Sequence, residues 1–135
     1  MNFFEIKDKN LYMVDLPGYG FARVPLQVKK SWGSMVETYL SRRPNLKAVV
    51  VILDIRRDPG DGDIDLLKWL DTYGIKSIIV LTKADKLSRA QGMERARLIR
   101  KELAKSTSGA TIIFSATTRE GKDEIWAEIN KASAL

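Results

Sequence analysis

The chain has 135 residues, 44% hydrophobic and 30% charged, with a formal net charge of +6. This length and composition are ordinary for a globular chain, so we expect one domain over residues 1–135. No apolar run approaches the ~20 residues of a membrane span. Cysteine and histidine are absent, which excludes a disulfide framework, a thiolate metal site and the commonest general base. We expect a cytoplasmic protein.

Two strands and a helix are predicted in the first third of the chain. The apolar runs 2–7 and 11–15 flank the turn-like Asp8-Lys9-Asn10, which predicts an antiparallel hairpin. Apolar residues then recur at helical spacing and predict a first helix over 28–40. These residues are Val28, Trp32, Met35, Val36, Tyr39 and Leu40.

From residue 48 onward, strand-like and helix-like segments alternate. Strands are predicted at 48–54, 77–82 and 111–115, and helices at 63–73, 88–105 and 121–133. This alternation is typical of α/β proteins with a mostly parallel sheet and helices on both faces.

Local signals support the boundaries of these helices. Asp63 is expected to cap the first of the three, and Ser88 with Gln91 has the spacing of a capping box. In the last helix, Ile125, Trp126 and Ile129 share one face and are expected to point inward.

Thr82-Lys83-Ala84-Asp85 directly follows the apolar run that ends at Leu81. It resembles the T/N-K-x-D motif with which GTPases bind guanine. A carboxylate at Asp85 can accept parallel hydrogen bonds from guanine N1–H and its exocyclic amino group, a pair of donors that adenine lacks. The aliphatic stem of Lys83 can lie over the purine ring. The alternative is an ordinary polar loop after a strand.

Two further fragments lie at compatible positions. Asp15-Leu16-Pro17-Gly18 resembles the D-x-x-G element, in which the Asp holds a water on Mg²⁺ and the Gly amide meets the γ-phosphate. Ser115-Ala116-Thr117 resembles the S-A-x element, whose backbone amide meets the guanine O6. Each fragment alone is also an ordinary turn. All three in order, each after a predicted strand, favour a nucleotide site at the carboxyl ends of the strands.

The chain resembles the EngB (YihA/YsxC) family of bacterial GTPases along nearly its whole length. The residues that carry the resemblance are Val14–Ala22, Leu53–Arg57, Leu81–Ser88, Trp32, Tyr39-Leu40 and Glu124-Ile125-Trp126. The resemblance implies a P-loop NTPase-like G-domain that binds GTP or GDP with Mg²⁺. It also implies roles in large ribosomal subunit assembly and in cell division or septation. Tyr19 follows the D-x-x-G glycine, where many GTPases have Gln, which implies slow intrinsic hydrolysis.

The sequence departs from the family pattern in one respect. None of its glycines begins a G-x-x-x-x-G-K-[ST] phosphate loop. We therefore expect a G-domain fragment that lacks the first strand, the P-loop and the first helix. The phosphate loop supplies the main phosphate contacts. We expect guanine nucleotide affinity of about millimolar or weaker and no useful GTPase activity, because two hydrogen bonds hardly offset the cost of association.

The expected truncation leaves a gap in the sheet. The family's first strand lies between the strands at 11–15 and 48–54, so two strands would have unpaired backbone groups. These strands can close up against each other, two copies can exchange elements, or a second chain can supply the segment. We expect a homodimer or a rearranged sheet.

Basic residues form two groups along the chain. One contains Arg23, Lys29, Lys30, Arg42, Arg43 and Lys47, and the other contains Arg89, Arg95, Arg97, Arg100, Lys101 and Lys105. Basic surfaces attract phosphate backbones, so ribosomal RNA of the large subunit is an expected partner.

Two other functions remain open from the sequence. One is a non-enzymatic α/β binding module that contacts RNA or protein through its basic faces. The other is a phosphotransfer receiver that uses Asp15 and Asp54 at strand ends together with Lys83.

Overall fold

The computed structural model describes residues 2–6, 11–15, 34, 38 and 46–133. The chain divides into two compact units, Met1–Leu46 and Lys47–Leu135. In the first unit, β1 (Asn2–Ile6) pairs antiparallel with β2 (Leu11–Asp15). The predicted antiparallel pairing is therefore confirmed, whereas the connection at 7–10 lies outside the described residues. One domain over 1–135 stays a prediction.

Three parallel strands form the sheet of the second unit. They are β3 (Ala48–Asp54), β4 (Lys76–Thr82) and β5 (Ala110–Ile113), in the spatial order β3-β4-β5. The predicted parallel sheet is confirmed. β5 begins one residue before the predicted strand and ends at Ile113, not at residue 115.

Three helices alternate with these strands. They are α1 (Asp61–Thr72), α2 (Arg89–Leu103) and α3 (Lys122–Ser133). The α/β fold class predicted from the alternation is therefore confirmed. Within the described ranges, no helix has the length and apolar character that crossing a membrane requires.

The N-terminal ends of α1 and α2 can be compared with the two capping predictions. The capping box is confirmed, because Ser88 Oγ accepts from Gln91 N–H at 3.2 Å and Gln91 Oε1 accepts from Ser88 N–H at 3.0 Å. The cap at Asp63 is wrong, because Gly60 is the N-cap residue and Asp63 is the third residue of α1. Its Oδ2 instead reaches back and accepts from Gly60 N–H at 2.8 Å.

Helices cover both faces of the sheet. α1 and α2 lie in successive crossovers that run the same way across it, so the right-handed rule puts both on one face. α3 covers the other face, where Ile125 and Ile129 pack against the buried cluster of Ile78, Val80 and Ile112. Trp126 is half-buried. The inward orientation predicted for Ile125 and Ile129 is thus confirmed.

β3 has one strand neighbour within the described part of the chain. It pairs with β4. Val50 and Ile52 are 37% and 64% exposed, although Ile78 and Val80 opposite them are buried. The α3 face of the sheet is therefore incompletely covered at β3.

Several predicted features fall outside the described residues. The predicted helix at 28–40 is described only at Ser34 and Thr38, both helical and exposed. Leu16, Pro17 and Gly18 of the D-x-x-G fragment are not among the described residues, nor is Tyr19. Asp15 is described as the last residue of β2.

Two glycines of the second unit should respond in opposite ways to alanine. Gly92 lies inside α2 and a Cβ there would meet no atom within 4 Å, so Gly92→Ala should raise the free energy of unfolding by about 0.5–1 kcal/mol. Gly121 has φ +84° and a Cβ there would overlap the Ile113 carbonyl, so Gly121→Ala should lower it by more than about 1 kcal/mol. Urea denaturation followed by circular dichroism measures both changes. Equal effects of the two substitutions would contradict the backbone geometry described above.

Candidate functional site

The loop after β4 is fixed to both neighbouring strands. Thr82 Oγ1 donates to the Leu53 carbonyl at 3.1 Å, and the Ala84 amide donates to the Phe114 carbonyl at 3.1 Å. Between them, Lys83 adopts the left-handed conformation, with φ 63° and ψ 31°. Ala84–Lys86 then forms a short 3₁₀ turn. This backbone reversal leaves the Lys83 side chain exposed above the strand ends and brings Asp85 toward the next loop.

The loop after β5 holds the Asp85 carboxylate in place. Ser115 is fully buried, and its Oγ donates to Asp85 Oδ1 at 2.8 Å. The same Oγ accepts from the Thr118 amide at 3.1 Å, which directs the hydroxyl proton toward Asp85. The Ser115 amide donates to the Glu120 carbonyl at 3.1 Å and so closes the turn that carries the exposed Ala116 and Thr117.

The structure thus brings two of the three sequence fragments together. Thr82, Lys83 and Asp85 lie beside Ser115 at the carboxyl ends of β4 and β5, with Ala116 and Thr117 in the adjoining turn. The third fragment begins at Asp15 in the other unit and continues into residues that are not described. Its predicted contacts with phosphate and magnesium stay predictions.

Two charged residues that the sequence did not assign to the site also lie at this edge. Both Asp54 carboxylate oxygens accept from the Arg56 guanidinium, Oδ1 from Nε at 3.0 Å and Oδ2 from Nη2 at 2.8 Å. The Arg56 amide donates to Oδ1 at 3.0 Å, and Lys83 Nζ lies 3.5 Å from Oδ2. Asp54 therefore anchors the end of the Lys83 side chain.

The strand register would have predicted this contact between Asp54 and Lys83. Asp54 pairs with Thr82 in parallel register, so the last residue of β3 lies next to the start of the Lys83 loop. The sequence alone does not show that Lys83 and Asp54 are close, because Lys83 follows Asp54 by 29 positions. The receiver alternative is disfavoured, because Arg56 occupies both oxygens that a phosphoacceptor would use.

Asp54 and Arg56 shift each other's pKa. The Arg56 guanidinium holds the pKa of the Asp54 carboxyl far below its usual range, and Lys83 adds to this effect. Asp54 in turn raises the pKa of Arg56, with a smaller contribution from the charge of Asp85. Asp54, Arg56, Lys83 and Asp85 therefore form a charge-balanced group, two anions and two cations, in which Asp54 stays ionised at neutral pH.

This arrangement suits recognition of a planar base with adjacent donors. The exposed Lys83 stem supplies a flat apolar surface. Asp85 supplies a fixed carboxylate that can accept two parallel N–H bonds. Across the described ranges, no three Asp, Glu, His or Cys side chains converge as a metal site.

Curated relatives are similar over nearly the whole chain. The "Probable GTP-binding protein EngB" of Pelobacter propionicus is 51% identical over 129 residues, which cover 96% of this chain and 64% of that protein. Proteins of the same description from Geobacter metallireducens and Bacillus subtilis are 50% and 42% identical, with 62% and 67% of their lengths covered. The chain thus spans somewhat less than two thirds of the first two relatives. No protein-family model matched it.

Solved structures share the fold at lower sequence identity. The crystal structure of a probable GTP-binding protein engB superposes with a TM-score of 0.76 at 18% identity, covering 98% of this chain and 79% of that one. The apo translation elongation factor SelB of Methanococcus maripaludis gives 0.70 at 19% identity, with 98% and 27% covered. The FeoB G-domain of Methanococcus jannaschii gives 0.59 at 20% identity, with 98% and 78% covered.

Asp54 should make the stability of the chain depend on pH. Because its folded-state pKa is depressed, its contribution is present above its unfolded pKa and is lost as pH falls toward the folded value. The stability difference between the original chain and Asp54→Asn should therefore be largest at pH 7 and should shrink below about pH 4. Urea denaturation at pH 7, 5, 4 and 3 measures it.

The matched control is Asp65→Asn on α1. Asp65 is exposed and makes no ion pair within the described part of the chain. Its variant should differ little from the original chain at each pH. If the Asp54 difference were the same at pH 7 and pH 3, the Arg56 and Lys83 contacts would not stabilise the ionised carboxylate.

Proposed function

The chain belongs to the EngB family of GTP-binding proteins, and from that premise we propose that the loops after β4 and β5 bind the guanine base of GTP or GDP. The observation that carries this proposal is the bond from the buried Ser115 Oγ to Asp85 Oδ1 at 2.8 Å. It fixes a carboxylate at the strand ends, where ligands of open α/β sheets bind. Thr82, Lys83, Asp85, Ser115, Ala116 and Thr117 are the proposed base-binding residues.

Each of these residues has a distinct proposed role. Asp85 accepts from guanine N1–H and the exocyclic amino group, and Ser115 keeps the carboxylate in one orientation. Lys83 covers the ring with its stem, while Asp54 restrains its ammonium group. A backbone amide of the turn at Ala116 and Thr117 donates to the guanine O6. Adenine leaves Asp85 unpaired, which costs affinity.

Phosphate and magnesium binding are proposed for the segment that begins at Asp15. By family resemblance, Asp15 holds a water on Mg²⁺, and the segment Leu16, Pro17 and Gly18 contacts the γ-phosphate. These 135 residues contain no G-x-x-x-x-G-K-[ST] sequence. Without that cradle the proposed nucleotide affinity is about millimolar or weaker, and GTP hydrolysis by this chain is negligible. One partial G-domain over 1–135 is proposed on the same grounds.

The proposed cellular role follows from the family. We propose that the protein acts in assembly of the large ribosomal subunit in the bacterial cytoplasm, with a connection to cell division. Its net charge of +6 suits contact with ribosomal RNA. A non-enzymatic RNA-binding module is the second candidate, because the exposed side of α2 is rich in Arg and Lys.

A homodimer by strand exchange is the proposed oligomeric state. The support is the outer edge of β3, which has no strand partner within the described ranges, together with the exposed Val50 and Ile52 on one face. A second copy that pairs there covers both the backbone groups and the apolar side chains.

Asp85→Asn should change which base is preferred. The asparagine amide can donate to the C2 carbonyl of xanthine but presents a donor toward the amino group of guanine. We expect the original chain to prefer GMP over AMP and XMP, and the variant to prefer XMP. Saturation-transfer NMR at millimolar nucleotide concentration measures these preferences.

Ser115→Ala is the companion variant for this experiment. It keeps the Asp85 charge and removes the bond that orients it, so guanine binding should weaken about tenfold without a switch toward XMP. Equal signals for GMP and AMP with the original chain would refute guanine recognition. Micromolar binding of GDP with Mg²⁺ in a calorimetric titration, with ADP as control, would refute the weak-binding part alone.

Ile52→Lys should dissociate the proposed dimer, because it puts a charge into the apolar contact at the edge of β3. Light scattering after size-exclusion chromatography should give about twice the chain mass of 15.2 kDa for the original chain and the single mass for the variant. Leu98→Lys, at a side chain 41% exposed on α2, is the control and should stay dimeric. A monomeric original chain would contradict the dimer.

A further inference from the structure

The exposed side of α2 separates its charges into two sectors. Successive residues of a helix are 100° apart, which places Arg89, Arg97, Arg100 and Lys101 within one 120° sector. Met93, Ala90 and Ala104 share this sector, and no carboxylate lies in it. Glu94 and Glu102 lie outside this sector, on the side that Lys101 borders. The buried face of the helix consists of Gly92, Ala96, Ile99 and Leu103. We call Arg89, Met93, Arg97, Arg100 and Lys101 the basic sector.

Most cations of the basic sector are available to a ligand. Arg89 and Lys101 are exposed and make no ion pair within the described residues. Arg97 binds both oxygens of Glu94, at 2.9 and 2.7 Å, but this pair is on the surface and contributes little to stability. A phosphate can therefore replace Glu94 at low cost.

A groove adjoins the basic sector along β5. Arg100 Nη2 donates to the Thr111 carbonyl at 2.8 Å, so the sector lies next to the edge of that strand. A cavity of about 210 Å³ is lined there by Arg100, Ala104, Thr107, Ser108 and Thr111, among others. Its hydroxyl and backbone groups can bond to phosphate or ribose oxygens.

The chemistry of this surface favours a nucleic-acid backbone over other anionic partners. The cations span about 18 Å of helix, since Arg89 and Lys101 are twelve residues apart at 1.5 Å each. A membrane-binding helix would present a broad apolar face to lipid, whereas that face of α2 is buried in the core. A protein interface would need an apolar centre, and Met93 is the one large apolar side chain in the sector.

We propose that the basic sector of α2 and the groove beside β5 form the surface through which this protein binds the phosphate backbone of RNA. The inference rests on the proposed function, of which it names the RNA-contacting surface. Recognition is by backbone and shape, because the sector contains no aromatic side chain for base stacking. This surface is separate from the residues that read the guanine base.

The test is RNA binding as a function of salt. A fluorescein-labelled 20-base-pair RNA duplex is titrated with the full chain at 25–200 mM KCl, followed by fluorescence anisotropy. The variant carries Arg89→Gln, Arg97→Gln and Lys101→Gln, which remove three charges from exposed positions and keep good helix formers. The control carries Lys47→Gln, Lys68→Gln and Lys122→Gln, which remove three exposed lysines elsewhere.

The two triple variants have the same net charge, so only the position of the charges differs. For the sector variant, the slope of log K against log salt should become shallower by about 2–3, and affinity at 50 mM KCl should fall more than tenfold. The control should change both quantities much less. The single variant Lys101→Gln should lower the slope by about 0.9, and it serves if the triple variant does not fold.

Several results would overturn the proposal. Equal losses in the two triple variants would show that net charge alone drives binding. Binding to vesicles with one third phosphatidylserine, but not to RNA, would make the surface a membrane contact. No RNA binding by the original chain would remove the RNA partner itself. The preference for GMP over AMP, measured separately, should be unchanged in the sector variant, so failure of the base site is distinguishable from failure of this inference.

Discussion

Parallel pairing of β3, β4 and β5 is the constraint on which the rest of this structure depends. Because all three strands run the same way, their carboxyl ends meet at one edge, and the loops that follow them become neighbours. Asp54 and Ser115 are distant from Lys83 and Asp85 in the sequence, but Asp54 contacts Lys83 there and Ser115 contacts Asp85. The same pairing requires a crossover helix between strands, which places α1 and α2 together on one face.

The site itself is built by side chains that hold one another. Asp85 is exposed and would otherwise rotate freely, but the buried Ser115 hydroxyl fixes one of its oxygens. Lys83 is also exposed, and its ammonium group lies near Asp54 Oδ2, an oxygen that Arg56 binds as well. Such preorganisation matters for weak ligands, because each side chain ordered in advance reduces the entropy lost on binding.

The proposed base site and the proposed RNA surface are neighbours along the chain and share no residues. The loop after β4 leads through Ser88 directly into α2, whose buried face anchors the helix and whose basic sector lies outside. A folded second unit therefore presents both surfaces in a fixed relation.

The sequence by itself determined the alternation of strands and helices and the capping box at Ser88, and it grouped Thr82, Lys83, Asp85 and Ser115 as one proposed site. These follow from local periodicity, local capping chemistry and short motifs, all of which are readable over a few residues. It misplaced the cap of α1, because the Asp63 carboxylate reaches back from inside the helix to Gly60 N–H, whereas a cap residue accepts from an amide of the turn that follows it. Only the tertiary structure decided that Asp54 and Arg56 lie beside Lys83 and that one sector of α2 borders the groove at β5. Those facts depend on strand register and on the rotation of a helix against the sheet, which are set by long-range packing.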